Sequence, residues 1–187
     1  MPRAPQSRLL TLQWYIEGLG TLRLVVPSRD RLDAVDATWP VERAATAAHR
    51  HWLWGKLMEK KPEQFAVIDA DGQTISLWCS AKREVRLEGR RLYRLDYVEV
   101  RPRLRGGMAG AFTLALVGAR AAEAGCQGLV LAAFPPLKGF YARAGGAQRL
   151  PKGWAVERGL VPFVFEGSAF EDFQRVVTDA ARADDED

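Results

Sequence analysis

The stretch from Val98 to Gly110 reads VEVRPRLRGGMAG: an apolar strand runs into a turn carrying three arginines and two adjacent glycines, and a long apolar run follows. A helix starting at Met108 would present backbone N–H groups that have no partner inside the helix, at the positive end of the helix dipole. Gly106, Gly107 and Gly110 would let a phosphate approach those N–H groups closely. The forked guanidinia of Arg101, Arg103 and Arg105 match phosphate geometry. The stretch lacks the Gly-Lys-Ser/Thr of a P-loop and the GxGxxG of a dinucleotide fold. A glycine-rich strand-to-helix turn can also exist for packing alone.

Downstream, Met108 to Ala124 reads as a helix with only Arg120 and Glu123 charged, so it is expected to pack on two sides, with Gly125 just past its end. Leu129 to Phe134 reads as a short buried strand broken by Pro135-Pro136. Leu137 to Ala144 reads as a short helix closed by Gly145-Gly146, and Leu160 to Glu166 as a last strand. Ser168 and Glu171 form a capping box ahead of a helix with Phe170, Phe173, Val176 and Val177 on one side.

Upstream, Arg91 to Arg101 reads as one long strand ended by Pro102. Gln64 to Asp69 and Thr74 to Ser80 flank an Asp71-Gly72 hairpin turn. Thr21 to Pro27 reads as a strand, Arg29 to Ala37 as a short helix, and Val41 to Lys61 as a helix restarted at Pro40. Residues 1 to 20 are expected to be an N-terminal arm, 21 to 166 the domain, and 167 to 187 a helix with an acidic tail.

A chain of 187 residues is the size of one domain with a core that needs no staples. Its 48% hydrophobic and 27% charged residues exclude whole-chain disorder. No apolar run is long enough to span a bilayer, and Met1 to Leu12 lacks a secretory signal, so a cytoplasmic location without membrane contact is expected. Cys79 and Cys126 lie too far apart for a ligand motif, and His49 and His51 point apart on a helix, so no metal is expected. The last four residues are acidic; without them 27 basic residues face 19 acidic ones, a balance of +8. An anionic substrate, an anionic cofactor or nucleic acid would each suit that balance. The basic residues form no dense run, which argues against nucleic acid other than tRNA.

Over about residues 64 to 166, and by element order from residue 21, the sequence resembles the GCN5-related N-acetyltransferases (GNAT superfamily). That family shows a strand ending V-x-P, two residues, R-G-x-G-x-G/A opening a helix, a second strand, and a short helix ending F-Y-x-x-x-G. Val100-Arg101-Pro102, Arg105-Gly106-Gly107 and Gly110 fit the first part, and Phe140, Tyr141 and Gly145 the second. Two departures stand out: the middle loop glycine is replaced by Met108, whose side chain would crowd the pyrophosphate or force a shifted loop, and the frequent Asn after the second strand is absent. The resemblance implies a single-domain α/β (α+β) acyl-CoA N-acyltransferase fold with a mixed central sheet of about six to seven strands flanked by helices.

It further implies that acetyl-CoA is the cosubstrate, with pantetheine along Val98, Glu99 and Val100 and the pyrophosphate on Arg105, Gly106, Gly107, Met108, Ala109 and Gly110. Tyr141 matches the family's proton donor to the leaving thiolate. Asp96 and Glu99 are the base candidates; on a regular strand they face opposite ways, so at most one would face the acceptor. Trp39, Trp52 and Trp54 are either core or the lining of an acceptor pocket. The implied reaction is acetyl transfer to a primary amine of a small molecule or protein by direct attack in a ternary complex, and a homodimer is compatible with it. The rivals are a toxin of this fold that acetylates aminoacyl-tRNA and a non-catalytic acyl-CoA-binding module.

Overall fold

The computed structural model describes residues 7–42, 52–60 and 62–182. A 3-10 turn (Arg8–Thr11) leads into β1 (Gln13–Ile16) and β2 (Gly20–Val25), followed by α1 (Arg29–Glu42) and α2 (Trp54–Glu59). Then come β3 (Glu63–Asp69), β4 (Thr74–Ser80), β5 (Glu84–Leu87), β6 (Arg90–Leu95) and β7 (Tyr97–Val100). The chain continues through a 3-10 turn (Pro102–Leu104), α3 (Met108–Glu123), β8 (Leu129–Ala133), a further 3-10 turn (Pro135–Leu137), α4 (Lys138–Arg143), β9 (Ala147–Gln148), β10 (Val161–Phe165) and α5 (Gly167–Arg182).

The strands form two five-stranded sheets, β1-β2-β3-β4-β7 and β5-β6-β8-β10-β9. One stretch of chain, β6 then β7, belongs to both. Pairing is antiparallel except between β6 and β8, which gives the mixed sheet expected from the sequence. The strand count exceeds six to seven because β1, β5 and the two-residue β9 are short additions.

Three expectations for the N-terminal third of the chain give way. Residues 13–16 are a strand paired to β2, not part of a loose arm, because Trp14 is fully buried and its Nε1 donates to Val177 O at 3.0 Å. α1 continues through Pro40 to Glu42; a proline this late removes only one donor near the helix end. There is no continuous helix from Val41 to Lys61: Leu53 is extended, and α2 starts afresh at Trp54. Its first N–H groups, on Trp54 and Gly55, donate to the Asp36 carboxylate of α1 at 3.0 and 2.9 Å, a cap supplied from another helix. His49, His51 and the acidic tail lie outside the described residues.

α1 and α2 cover one face of the first sheet, where Leu32, Val35, Trp39, Trp54 and Leu57 meet Ala66, Ile68, Leu77 and Cys79. α3 lies in the main core, with Phe112 and Leu114 to Ala121 buried. Ala124 caps it and Gly125, at φ 73°, takes the left-handed position that ends it. Its one buried cation, Arg120, is matched by Glu63 of β3 at 2.7 Å. α5 packs Phe170, Phe173 and Val177 inward, but Val176 is exposed.

α5 approaches α3 at Gly118, where an added Cβ would stand 2.3 Å from Phe173 Cδ2 and 2.6 Å from Phe173 Cβ. The Phe173 ring is itself packed on Phe165 at 5.4 Å, so it has little room to yield. Gly118→Ala should therefore destabilise the fold by about 1–3 kcal/mol, the usual cost of overpacking. This is measured as a lower denaturation midpoint with an unchanged slope; an unchanged or raised midpoint would refute the close approach.

Candidate active site

The site arises where β6 becomes β7. Asp96 N–H donates to Cys79 O at 3.1 Å, while Tyr97 is the register partner of the same Cys79. Two residues opposite one make a β-bulge, which bends the strand and increases its twist. Before the bulge, Tyr93, Arg94 and Leu95 run parallel to Leu129, Val130 and Leu131 of β8. Past it, β7 is an edge strand bonded to β4, and β8 stays in the other sheet. Two parallel strands thus part at Asp96 and leave a gap.

Arg101 N–H donates to Ile75 O at 2.9 Å, so odd-numbered residues of β7 turn their backbone groups to β4. Val98 and Val100 turn theirs to the gap; Val100 O accepts from Arg105 Nε there at 3.1 Å. A ligand with amide groups can extend this edge as a further strand would.

The bulge also corrects the expected facing of the two carboxylates. Leu95 and Val98, three residues apart, both join the cluster under α3. The strand has gained a residue, and Asp96 and Glu99 come out on the same face, that of α1 and α2. Their settings differ. Asp96 accepts from Ala81 N–H at 2.7 Å and pairs with Arg94 Nε at 2.7 Å, so it holds the turn after β4. Glu99, its side chain 3% exposed, accepts from Trp54 Nε1 at 2.8 Å and from Arg105 at 3.3 Å. Trp54 therefore acts both as core and as a donor to the candidate base, a role with no local sequence signal because the partners are 45 positions apart. Trp52 packs at a tilt against Tyr97, with centroids 5.1 Å apart, and edge-to-face against Trp54 at 6.2 Å; burial pushes the Tyr97 phenol above its ordinary pKa, and Trp39 is buried core.

The loop after β7 folds as a 3-10 turn, an extended Arg105, Gly106 at φ 80°, and Gly107 as the cap residue of α3. Gly106 is the one loop position whose backbone demands glycine. Gly107 has no side chain to cap the helix, and no atom lies within 4 Å of where a Gly106 Cβ would stand, so the loop is open around Gly106. Met108 is the first residue of α3 and is 60% exposed. Ala109 is buried, and Gly110 faces the gap, where an added Cβ would stand 3.6 Å from the Phe140 ring and 3.9 Å from Val100 Cγ2.

The three loop arginines are engaged on protein atoms. Arg101 and Arg103 both donate to Gln73 Oε1, at 2.9 and 3.0 Å, and Arg105 bridges Val100 O and Glu99. Burial lowers the Arg105 pKa from its ordinary value.

Tyr141 comes from α4 on the α3 side of the gap. Its ring lies 5.0 Å from Phe140 and 5.6 Å from Phe163, and burial pushes its phenol pKa up to about 12. Its carbonyl accepts from Gly146 N–H, and the tight turn there depends on Gly145 at φ 91°. No hydrogen bond or ring contact between described residues joins Tyr141 to Asp96 or Glu99. Among the described residues no group of three His, Cys, Asp or Glu could hold a metal, and no helix is long and apolar enough to cross a membrane.

No protein-family model and no curated protein matches the chain. Solved structures do. An acetyltransferase of the GNAT family from Staphylococcus aureus Mu50 matches at TM-score 0.54 and 12% identity, over 76% of this chain and 97% of that one. A spermidine N-acetyltransferase chimera of the Vibrio cholerae enzyme and hSSAT matches at TM-score 0.57 and 13% identity, over 81% and 98%. A structure described as a bacterial toxin matches at TM-score 0.57 and 16% identity, over 84% and 95%. At such identities the likeness is one of fold, and the chain has the GNAT-like acyl-CoA N-acyltransferase fold.

Proposed function

We propose that this protein transfers an acetyl group from acetyl-CoA to a primary amine. One observation carries the reading: the edge of β7 that pairs with no strand leads into a glycine cradle at the start of a helix. The first suits an amide-bearing arm and the second a pyrophosphate, and pantetheine joined to a pyrophosphate has both in that order. The residues present fit the group. Val98 and Val100 would hold the arm, and Arg105, Gly106, Gly107, Met108, Ala109 and Gly110 the pyrophosphate.

The chemistry needs a proton acceptor for the entering ammonium and a donor for the leaving thiolate. Glu99 takes the first role, because it lies on β7, the strand that would hold the arm, whereas Asp96 sits at the bulge before it and holds the Ala81 turn. Val98 N–H is the donor available to the developing oxyanion. The neutral amine forms the new C–N bond, the C–S bond breaks, and Tyr141 protonates the sulfur. The second proton lost by the nitrogen balances the one Tyr141 gives. The acceptor would enter over the α1–α2 face, past Trp52 and Tyr97.

Acetylation of aminoacyl-tRNA is less well supported. Arg29, Arg90, Arg91, Arg94, Arg120, Arg149 and Arg175 each pair with a carboxylate, which breaks up the extended positive potential that an RNA partner needs. The test is in two steps. CoA at about 100 times its dissociation constant should stabilise the fold by about 2.7 kcal/mol. Thiol release should then depend on an amine, read on a panel that includes polyamines, a lysine peptide and an aminoacyl-tRNA. No stabilisation by millimolar CoA would end the cosubstrate reading; stabilisation without thiol release by any acceptor would leave a binding module.

A further inference from the structure

The side chain of Arg105 stands at the junction of the two halves of the site. Its Nε donates to Val100 O at 3.1 Å, on the edge that the proposed arm would line. Its terminal nitrogen donates to Glu99 at 3.3 Å, the proposed proton acceptor. Its backbone opens the glycine cradle, with Gly106 immediately after it. The Arg105 side chain is 41% exposed, whereas the Glu99 side chain is 3% exposed, so the arginine is the member of the pair that can leave.

We infer that Arg105 is a two-position residue: it rests on Val100 O and Glu99 in the free protein, and on arrival of CoA it turns to the pyrophosphate, releasing both. The inference rests on the CoA reading above and deepens it. A doubly charged pyrophosphate is a stronger partner for a guanidinium than one carboxylate and one carbonyl. When the guanidinium leaves, Val100 O is freed for the arm, and Glu99 loses a neighbouring cation while keeping the Trp54 N–H. A carboxylate that loses a cation becomes a better proton acceptor and a better seat for an ammonium. Arg105 is thus a positioning residue that makes the acceptor side competent only when the cosubstrate is in place.

This predicts an effect that a purely structural ion pair would not produce. Glu99→Gln keeps the shape and an oxygen for Trp54 but releases Arg105, so CoA should bind more tightly, by about tenfold, the worth of one hydrogen bond to a charged group. Arg105→Gln should weaken CoA binding. In the Arg105→Gln background the gain from Glu99→Gln should vanish, because no guanidinium remains to release. Pantetheine, which has no phosphates to take up the guanidinium, should gain less than CoA from Glu99→Gln.

Titration calorimetry on the wild type, both single variants and the double variant reads all of this, with melting curves to verify folding. Equal or weaker CoA binding by a folded Glu99→Gln protein, or a gain that persists without Arg105, overturns the switch and leaves the CoA reading standing. Absence of CoA binding in every form, the wild type included, overturns the CoA reading itself.

Discussion

Gly110→Asp should fold like the wild type and lose CoA binding by at least about 100-fold. The position is in the first turn of α3, where a carboxylate suits the free N–H groups and the helix dipole, so the helix gains rather than loses from the change. Space is available as well: an added Cβ would meet the Phe140 ring at 3.6 Å and Val100 Cγ2 at 3.9 Å, both ordinary contacts. That Cβ points into the gap between β7 and α4, so the new carboxylate would stand where the phosphates approach and would compete for the same N–H groups. Two unit charges about 4 Å apart repel by about 4 kcal/mol at an effective dielectric constant near 20. Gly110→Ala adds the same carbon without the charge and should bind CoA within a few-fold of wild type. Calorimetry on the pair separates charge from shape, and equal CoA affinity in a folded Gly110→Asp protein would remove the phosphate cradle from this loop.

Much of the loop, and of the chain from α3 to α4, was legible because its signals are local. The run from Val98 through Gly110, the apolar helix with Gly125 past its end, and the Phe140-Tyr141 helix closed by two glycines are each encoded within a few adjacent residues. The bulge had a weaker local signal. Tyr93, Leu95, Val98 and Val100 are spaced two, three and two, and a strand buries all four on one side only with an extra residue between Leu95 and Val98. Trp14 and Ile16, separated by one residue and succeeded by Gly18 and Gly20, likewise hinted at the hairpin of β1 and β2.

Other features had no local signal at all. Asp36 capping α2, Trp54 donating to Glu99, and Gln73 gathering Arg101 and Arg103 join residues 18 to 45 positions apart. The first two follow from helices docking on the sheet and the third from β7 pairing with β4, neither of which any window of sequence contains. The arginines show the limit best. Composition alone suggested cations waiting for an anion, but in the fold their guanidinia rest on carboxylates, carbonyls and an amide. Phosphate binding would therefore be an exchange of partners and not a simple neutralisation.

Tyr141→Phe should lower kcat by about 100-fold or more, the range for losing a positioned general acid, with KM for acetyl-CoA changed only a few-fold. The ring is held by Phe140 and Phe163, and phenylalanine keeps those contacts, so stability should not fall. A phenol raised to about 12 looks at first too weak an acid for an ordinary thiolate, which would sit about three units lower. The comparison changes inside this protein. Cys79, buried in the same fold, has its thiol pushed up to about 12, chiefly by loss of water. A thiolate leaving into a dry gap would rise in the same way, and donor and acceptor would then be matched.

The pH dependence has a definite sign. A phenol raised by burial keeps its proton through neutral pH and gives it up only as pH climbs toward 12. The wild-type rate should therefore show no alkaline decline from Tyr141 below about pH 11, a margin of one unit under that value. Stopped-flow measurement of thiol release over pH 6 to 10 tests both points. A Phe variant that retains wild-type kcat would remove Tyr141 from the chemistry and return it to the core, and the thiolate would then depart unprotonated or take its proton from water.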